Sequence, residues 1–274
     1  MKNRRWLWFP AVSAAAILQT AGGTAWPVTV LTAIGAFALL CLPEADPCPK
    51  WLGWLKSLWN GVILGQVLSW AVGYWQTAPV WAAGVILALA LWLSGKGKNA
   101  VAAAGSILGL LQLLLTGGVL LAALPEVQPR NWTWHTPVYS GWLLTALLIP
   151  ALGERRKDVG AGLWAAAVSL ITTGVAGLQG GYYEMSKSVS ILGGIKRLES
   201  LAAVGLTLGF LLLSTRLIET ESREQSLASA ALGAVLYFGG WQCNAYLAGI
   251  GSTVLWVLLP CLVGIRVKKR ENGE

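Results

Sequence analysis

The stretch WLGWLKSLWNGVILGQVLSWAVGYW, residues 51–75, decides the fold class. It runs 25 residues with one charge, Lys56. As an α-helix it would extend about 37 Å at 1.5 Å per residue. Crossing the roughly 30 Å hydrocarbon core of a bilayer takes about 20 apolar residues. Trp51 and Trp54 stand at one end and Trp75 at the other, where an indole keeps its ring in the interface and its N–H near water. The stretch therefore reads as a transmembrane helix. Asn60 and Gln66 are polar groups within it, and Trp59 and Trp70 lie deeper, able to face a cavity or to pack.

The whole chain has the same character. Of its 274 residues 55% are hydrophobic and only 12% are charged, with a mean hydropathy of +0.62. Soluble domains carry about 25% charged residues, so an ordinary soluble enzyme, a disordered chain and a coiled coil are excluded. Apolar runs between charged or Pro/Gly-rich breaks predict ten spans. They cover residues 6–22, 25–42, 51–75, 79–94, 99–124, 137–152, 159–180, 198–218, 227–241 and 245–265. The first, fourth, sixth and ninth are short, so eight or nine spans are the alternatives. The expected fold class is all-α: one polytopic membrane domain over residues 1–274, with both termini cytoplasmic.

The net charge of +8 belongs to this layout rather than to nucleic acid. With ten spans and the N-terminus inside, only Arg130, Lys187, Lys196 and Arg197 fall outside, leaving sixteen of the 20 Lys and Arg inside. Losing any one span reverses everything downstream and spoils that asymmetry. Lys2–Arg5 followed by an apolar run also fits a signal peptide, whose removal leaves the orientation of the other nine spans unchanged.

Little in the chain points to catalysis. No span carries Asp or Glu at its centre, which argues against a pump built on a membrane carboxylate. The four cysteines show no C-x-x-C spacing, and His135 is the single histidine, so neither a metal nor another cofactor is expected. Nucleotide-binding, hydrolase and zinc-protease motifs are missing, and an enzyme is the last reading to entertain. Asn131-Trp132-Thr133 matches a glycosylation sequon on the outer side. Uncharged polar groups inside spans are more informative: Gln19, Thr20, Asn60, Gln66, Gln112, Thr116, Thr172 and Thr173, with Tyr139, Ser140 and Gly141 at the start of span six. They either hydrogen-bond between helices or line a neutral pocket for a small solute. Gly105 and Gly109, four apart, allow close helix approach, and Gly239-Gly240 is a candidate hinge or break. Residues 180–199 are too polar to span, and their amphipathic pattern suits a helix on the outer surface.

Ten spans with both ends inside suit a five-plus-five inverted repeat, residues 6–124 mirrored by 137–265. Local patterns carry a resemblance within roughly residues 51–215. Thr77-Ala78-Pro79 opens span four, Leu93-Ser94-Gly95-Lys96-Gly97 closes it, and span five ends Leu124-Pro125-Glu126-Val127. Ile195-Lys196-Arg197-Leu198-Glu199-Ser200 leads into span eight. Together these resemble the spore-germination permeases, the B subunits of nutrient germinant receptors in the amino acid–polyamine–cation permease superfamily. Two departures accompany the resemblance. Spans one and two are compressed, and the proline-containing lead into span six survives loosely as Pro137-Val138-Tyr139-Ser140-Gly141.

The resemblance implies a multi-pass protein of the cell membrane, in a spore its inner membrane, that senses a small nutrient such as an amino acid. Backbone near Gly22 and Gly23 and around Tyr139–Gly141 would hold the ligand's charged ends, with Gln19, Thr20, Asn60 and Gln66 contributing side chains. Its expected partners are that ligand, the lipid bilayer and other receptor subunits. The rivals are a true small-solute transporter of the same fold and a non-transporting structural subunit, the latter favoured by the compressed first helix.

Overall fold

The computed structural model describes residues 49–74, 80–97, 124–132, 198–220 and 222–263, with scattered helical positions between 100 and 121 and at Val30 and Ile34. Among the described residues the structure is helical, with no strand. Helix α1 (Lys50–Tyr74) matches the stretch read as span three to within a residue. Helix α2 (Ala82–Ser94) covers most of span four, 13 residues or about 20 Å. Helix α3 (Leu198–Ile218) coincides with span eight. Helix α4 (Arg223–Phe238) begins four residues before the sequence reading placed span nine. Hydropathy misses that first turn because Arg223 and Glu224 are charged; Ser222 caps it, its Oγ accepting the Gln225 N–H at 3.2 Å. Helix α5 (Ala245–Thr253) passes directly into a π-helical stretch, Val254–Leu258. Within this last segment Tyr246–Val263, 18 residues, is long and apolar enough to cross a membrane, and it is the one helix among the described residues that meets that measure. Spans one, six and seven, all of span two but Val30 and Ile34, and residues 180–197 lie outside the described residues.

The strongest packing is between α1 and α4, and small residues set it. Ser57 Oγ donates to the Gln225 carbonyl at 2.7 Å. Four residues on, a Cβ at Gly61 would stand 2.7 Å from the Ser229 carbonyl. Four further on, a Cβ at Gly65 would stand 3.2 Å from the Gly233 carbonyl. Both chains advance together, so α1 and α4 are parallel and touch backbone to backbone. From the other side Leu64 fills the space a side chain at Gly233 would need. This is the small-xxx-small geometry of close helix pairs.

The other helices run the opposite way. Ser229 Oγ donates to the Leu217 carbonyl at 3.2 Å, tying α3 and α4 into an antiparallel hairpin closed by Glu219–Ser222. Along α5 the partners of α1 descend: the Cys243 N–H donates to Gln66 Oε1, Trp59 Nε1 donates to Ser252 Oγ, and Lys56 Nζ lies over the Trp256 ring. Helix α2 starts where α1 and α4 finish, the Val80 carbonyl accepting from Tyr237 Oη at 3.5 Å. Lys50, Lys56, Arg216 and Arg223 thus gather at one end of the bundle. At the other end α4 stops in a Schellman turn. Gly240 takes φ +70°, its N–H donates to the Tyr237 carbonyl, and the Trp241 N–H donates to the Leu236 carbonyl. The candidate break at Gly239-Gly240 is therefore a helix terminus.

Two substitutions test the α1–α4 contact. Gly61→Ala meets a backbone carbonyl that cannot yield, and should lower stability by about 1–3 kcal/mol. Gly84, in α2, has nothing within 4 Å of a new Cβ. Gly84→Ala should therefore leave thermal unfolding in detergent unchanged or raise it, by up to about 1 kcal/mol from helix propensity.

Candidate functional site

Polar side chains collect inside the charged end of the bundle. Lys56, Ser57 and Asn60 of α1, Ser214, Thr215 and Arg216 of α3, Gln225 and Ser229 of α4, and Ser252 of α5 are all buried. Helical periodicity explains the α1 members: Lys56, Asn60, Ile63 and Val67 recur at three- and four-residue spacing and share its inward face. Trp51, Trp54, Leu55 and Leu58 take the opposite, exposed face.

The seam between α1 and α5 is an aromatic contact with polar edges. Gly251 lies flat against the Trp59 indole, leaving no room for a side chain, and Trp59 Nε1 donates to Ser252 Oγ at 3.0 Å. One turn lower the Lys56 ammonium stands 4.5 Å from the Trp256 ring centroid, a cation–π pair in a nearly dry setting. Trp256 belongs to the π-helical stretch, a wide turn that often marks a functional position in a helix. Just before it, Thr253 Oγ1 turns back to the Gly249 carbonyl at 2.9 Å. Arg216 is paired with Glu219, just past the end of α3, at 3.3 Å.

Not every buried polar atom is matched. Asn60 Oδ1, Ser214 Oγ and Gln225 Oε1 are buried with no hydrogen-bond partner among the described residues. An unmatched buried polar group costs about 1–3 kcal/mol. Three of them around one helix junction are a sizeable local expense for a packing role to explain.

Of the residues expected to contact a ligand, Asn60 and Gln66 are described. The structure does not bring them together. Six residues apart on one helix, they differ by about 9 Å along the axis and about 120° around it. Asn60 faces the interior, while Gln66 accepts the backbone N–H of Cys243 at 3.3 Å. Gln19, Thr20, Gly22, Gly23, Tyr139, Ser140 and Gly141 lie outside the described residues. Trp59 packs; the side chain of Trp70 lies outside the described residues. Sequence reasoning counted Lys56 as a flanking topology charge and missed its burial. The signal was available: Lys56 and Asn60 are one turn apart, on a face otherwise apolar.

No protein-family model and no curated protein matches the chain. Its function must therefore be argued from its own residues.

The seam yields two expectations. Gly251→Ala should destabilise more than Ser252→Ala, since the first displaces an indole and the second removes hydrogen bonds of about 1 kcal/mol each; thermal unfolding of both variants checks the order. Burial pushes the Cys243 thiol above its ordinary pKa, so its thiolate fraction at neutral pH is reduced. In a chain whose other three cysteines are replaced by serine, maleimide labelling of Cys243 should be slow near pH 7. Its rate should keep climbing at pH values where a free thiol has already levelled off.

Proposed function

We propose that the chain is a multi-pass membrane protein with both ends cytoplasmic, a permease-like bundle whose polar interior binds a small nutrient. In this reading it acts as a sensor of the germinant-receptor type. Binding would shift the helices between two packings that differ in ligand affinity. Its proposed partners are the bilayer, the ligand and companion receptor subunits.

The observation that carries the reading is the exposure of large apolar side chains around an interior that is mainly apolar but also buries polar groups. Large apolar side chains cover the exterior of the described helices, with Trp81, Val85, Leu89 and Trp92 forming an exposed stripe along α2. Trp92 is 62% exposed, while Ser214, Ser229 and Ser252 are 0% exposed. Soluble monomers rarely expose contiguous apolar patches above a few hundred Å². In lipid the same arrangement is the ordinary one, with polar groups turned to the bundle interior.

Helix directions supply further support. In a ten-span chain, spans three and nine cross the same way and spans eight and ten the other. That is the sense in which α1 and α4 run against α3 and α5. Lys50, Lys56, Arg216 and Arg223 fall at the end this layout assigns to the cytoplasm, as the positive-inside rule requires. Trp54 and Tyr74, twenty residues apart on α1, are separated by about 30 Å of helix, the thickness of the hydrocarbon core.

Membrane topology is tested with single cysteines in a cysteine-free chain. Both Glu224 and Gln242 are exposed, at opposite ends of α4. In intact cells a membrane-impermeant maleimide should label Gln242→Cys and spare Glu224→Cys until the membrane is opened. Equal labelling of both, or recovery of the protein in the soluble fraction, rules the proposal out. Uptake of labelled amino acids into proteoliposomes separates sensing from transport: a sensor responds without moving solute.

A further inference from the structure

We infer that the basic rim at the charged end of the bundle is a docking surface for anionic phospholipid headgroups: Lys50 at the start of α1, Arg223 at the start of α4, and the run Arg266, Lys268, Lys269 and Arg270 that follows α5 in the sequence. The inference rests on the membrane reading above and adds to it a preference among lipids.

Helix register brings these charges toward one level. Gln225 lies beside Ser57. Arg223 and Lys50 stand two and seven residues beyond that level, about 7.5 Å apart along the axis. On α5, Trp256 lies beside Lys56, and Val263, seven residues on, is about level with Lys50. Arg266 comes three residues after Val263, within about 11 Å of it even on a fully extended chain. Such spacings are comparable with the Debye length of about 8 Å at physiological salt. The rim therefore acts as one positive field and requires no pocket.

Two of the four cations on the described helices here are already engaged, Arg216 with Glu219 and Lys56 over the Trp256 ring. Lys50 and Arg223 are exposed, and neither is in an ion pair among the described residues. Each sits in the first turn of its helix, where the dipole disfavours a cation and a bound anion relieves the repulsion. Glu224 beside Arg223 and Glu271 after the run offset only part of the charge.

Apolar neighbours select a lipid over a soluble anion. Trp51, Trp54 and Leu55 of α1 and Leu258 and Leu262 of α5 are exposed within about two turns of these charges. A phosphate carried on acyl chains meets the charges and the apolar flank together, whereas free phosphate meets the charges alone. A basic residue near an anionic membrane surface contributes about 1 kcal/mol, roughly fivefold in affinity.

The test titrates the full-length protein in non-ionic detergent with phosphatidylglycerol or phosphatidylcholine of the same acyl chains, bound lipid being counted by native mass spectrometry. Phosphatidylglycerol should bind at least about tenfold more tightly, and added salt should shrink that margin. Lys50→Gln with Arg223→Gln, and separately glutamine at Arg266, Lys268, Lys269 and Arg270, should each weaken phosphatidylglycerol by about fivefold per charge removed and leave phosphatidylcholine unchanged. The exchange Lys50→Arg with Arg223→Lys should keep the preference, as should Arg130→Gln, an exposed charge outside the rim. Equal binding of the two lipids overturns the inference, as does a preference that survives both rim variants or falls equally in Arg130→Gln. Displacement of the lipid by glycerol phosphate overturns it too, since the rim would then take a soluble anion. Failure of the membrane reading would appear separately, in the cysteine labelling of Glu224 and Gln242.

Discussion

The approach of α1 to α4 through Gly61, Gly65 and Gly233 is the constraint on which the described structure depends. In the membrane setting proposed above, apolar side chains would gain nothing by leaving the solvent, since lipid is as apolar as they are. Helices associate instead through close van der Waals contact and occasional hydrogen bonds. Glycine removes the side chain that would hold the backbones apart. Once the two are locked in parallel, α3 is fixed by the Ser229–Leu217 bond and α5 by the Trp59 indole lying on Gly251. Each later contact borrows its register from the first.

Parallel packing has an electrostatic side. The positive ends of the α1 and α4 dipoles lie together, and Lys50, Lys56 and Arg223 lie there too, which is unfavourable for both helices. Glu224 in the first turn of α4 offsets some of it, and the antiparallel α3 and α5 bring their negative ends to the same place. The basic residues therefore serve something other than helix stability. In the membrane layout proposed above their position would orient the chain, and Lys56, drawn inside, also lies over an indole.

Much of the helical layout was legible in the sequence because hydropathy and length act locally. Span eight matches α3 end for end, and the stretch over 51–75 matches α1 within a residue. The start of α4 was hidden because a capped first turn is polar, and hydropathy is blind to caps. The site was less legible. Asn60 and Gln66 are both polar residues of one helix, yet rotation sends one inward and the other to a backbone amide of α5. That difference depends on where the neighbouring helices stand. The Gly61–Gly65 spacing was visible on the page; its partner, Ser229 and Gly233, was too far along the chain for spacing to connect.

That distance has a consequence for how the protein is made. Ser57 and Gln225 are separated by 168 residues. Chains leave the ribosome at about 5–20 residues per second. The glycine face of α1 thus waits on the order of ten seconds or more for the helix that covers it. Most of the intervening chain must be synthesised before the central contact can close. During that interval α1 presents a smooth, small-residue face to any passing helix, so its correct pairing is a problem of timing as well as of shape.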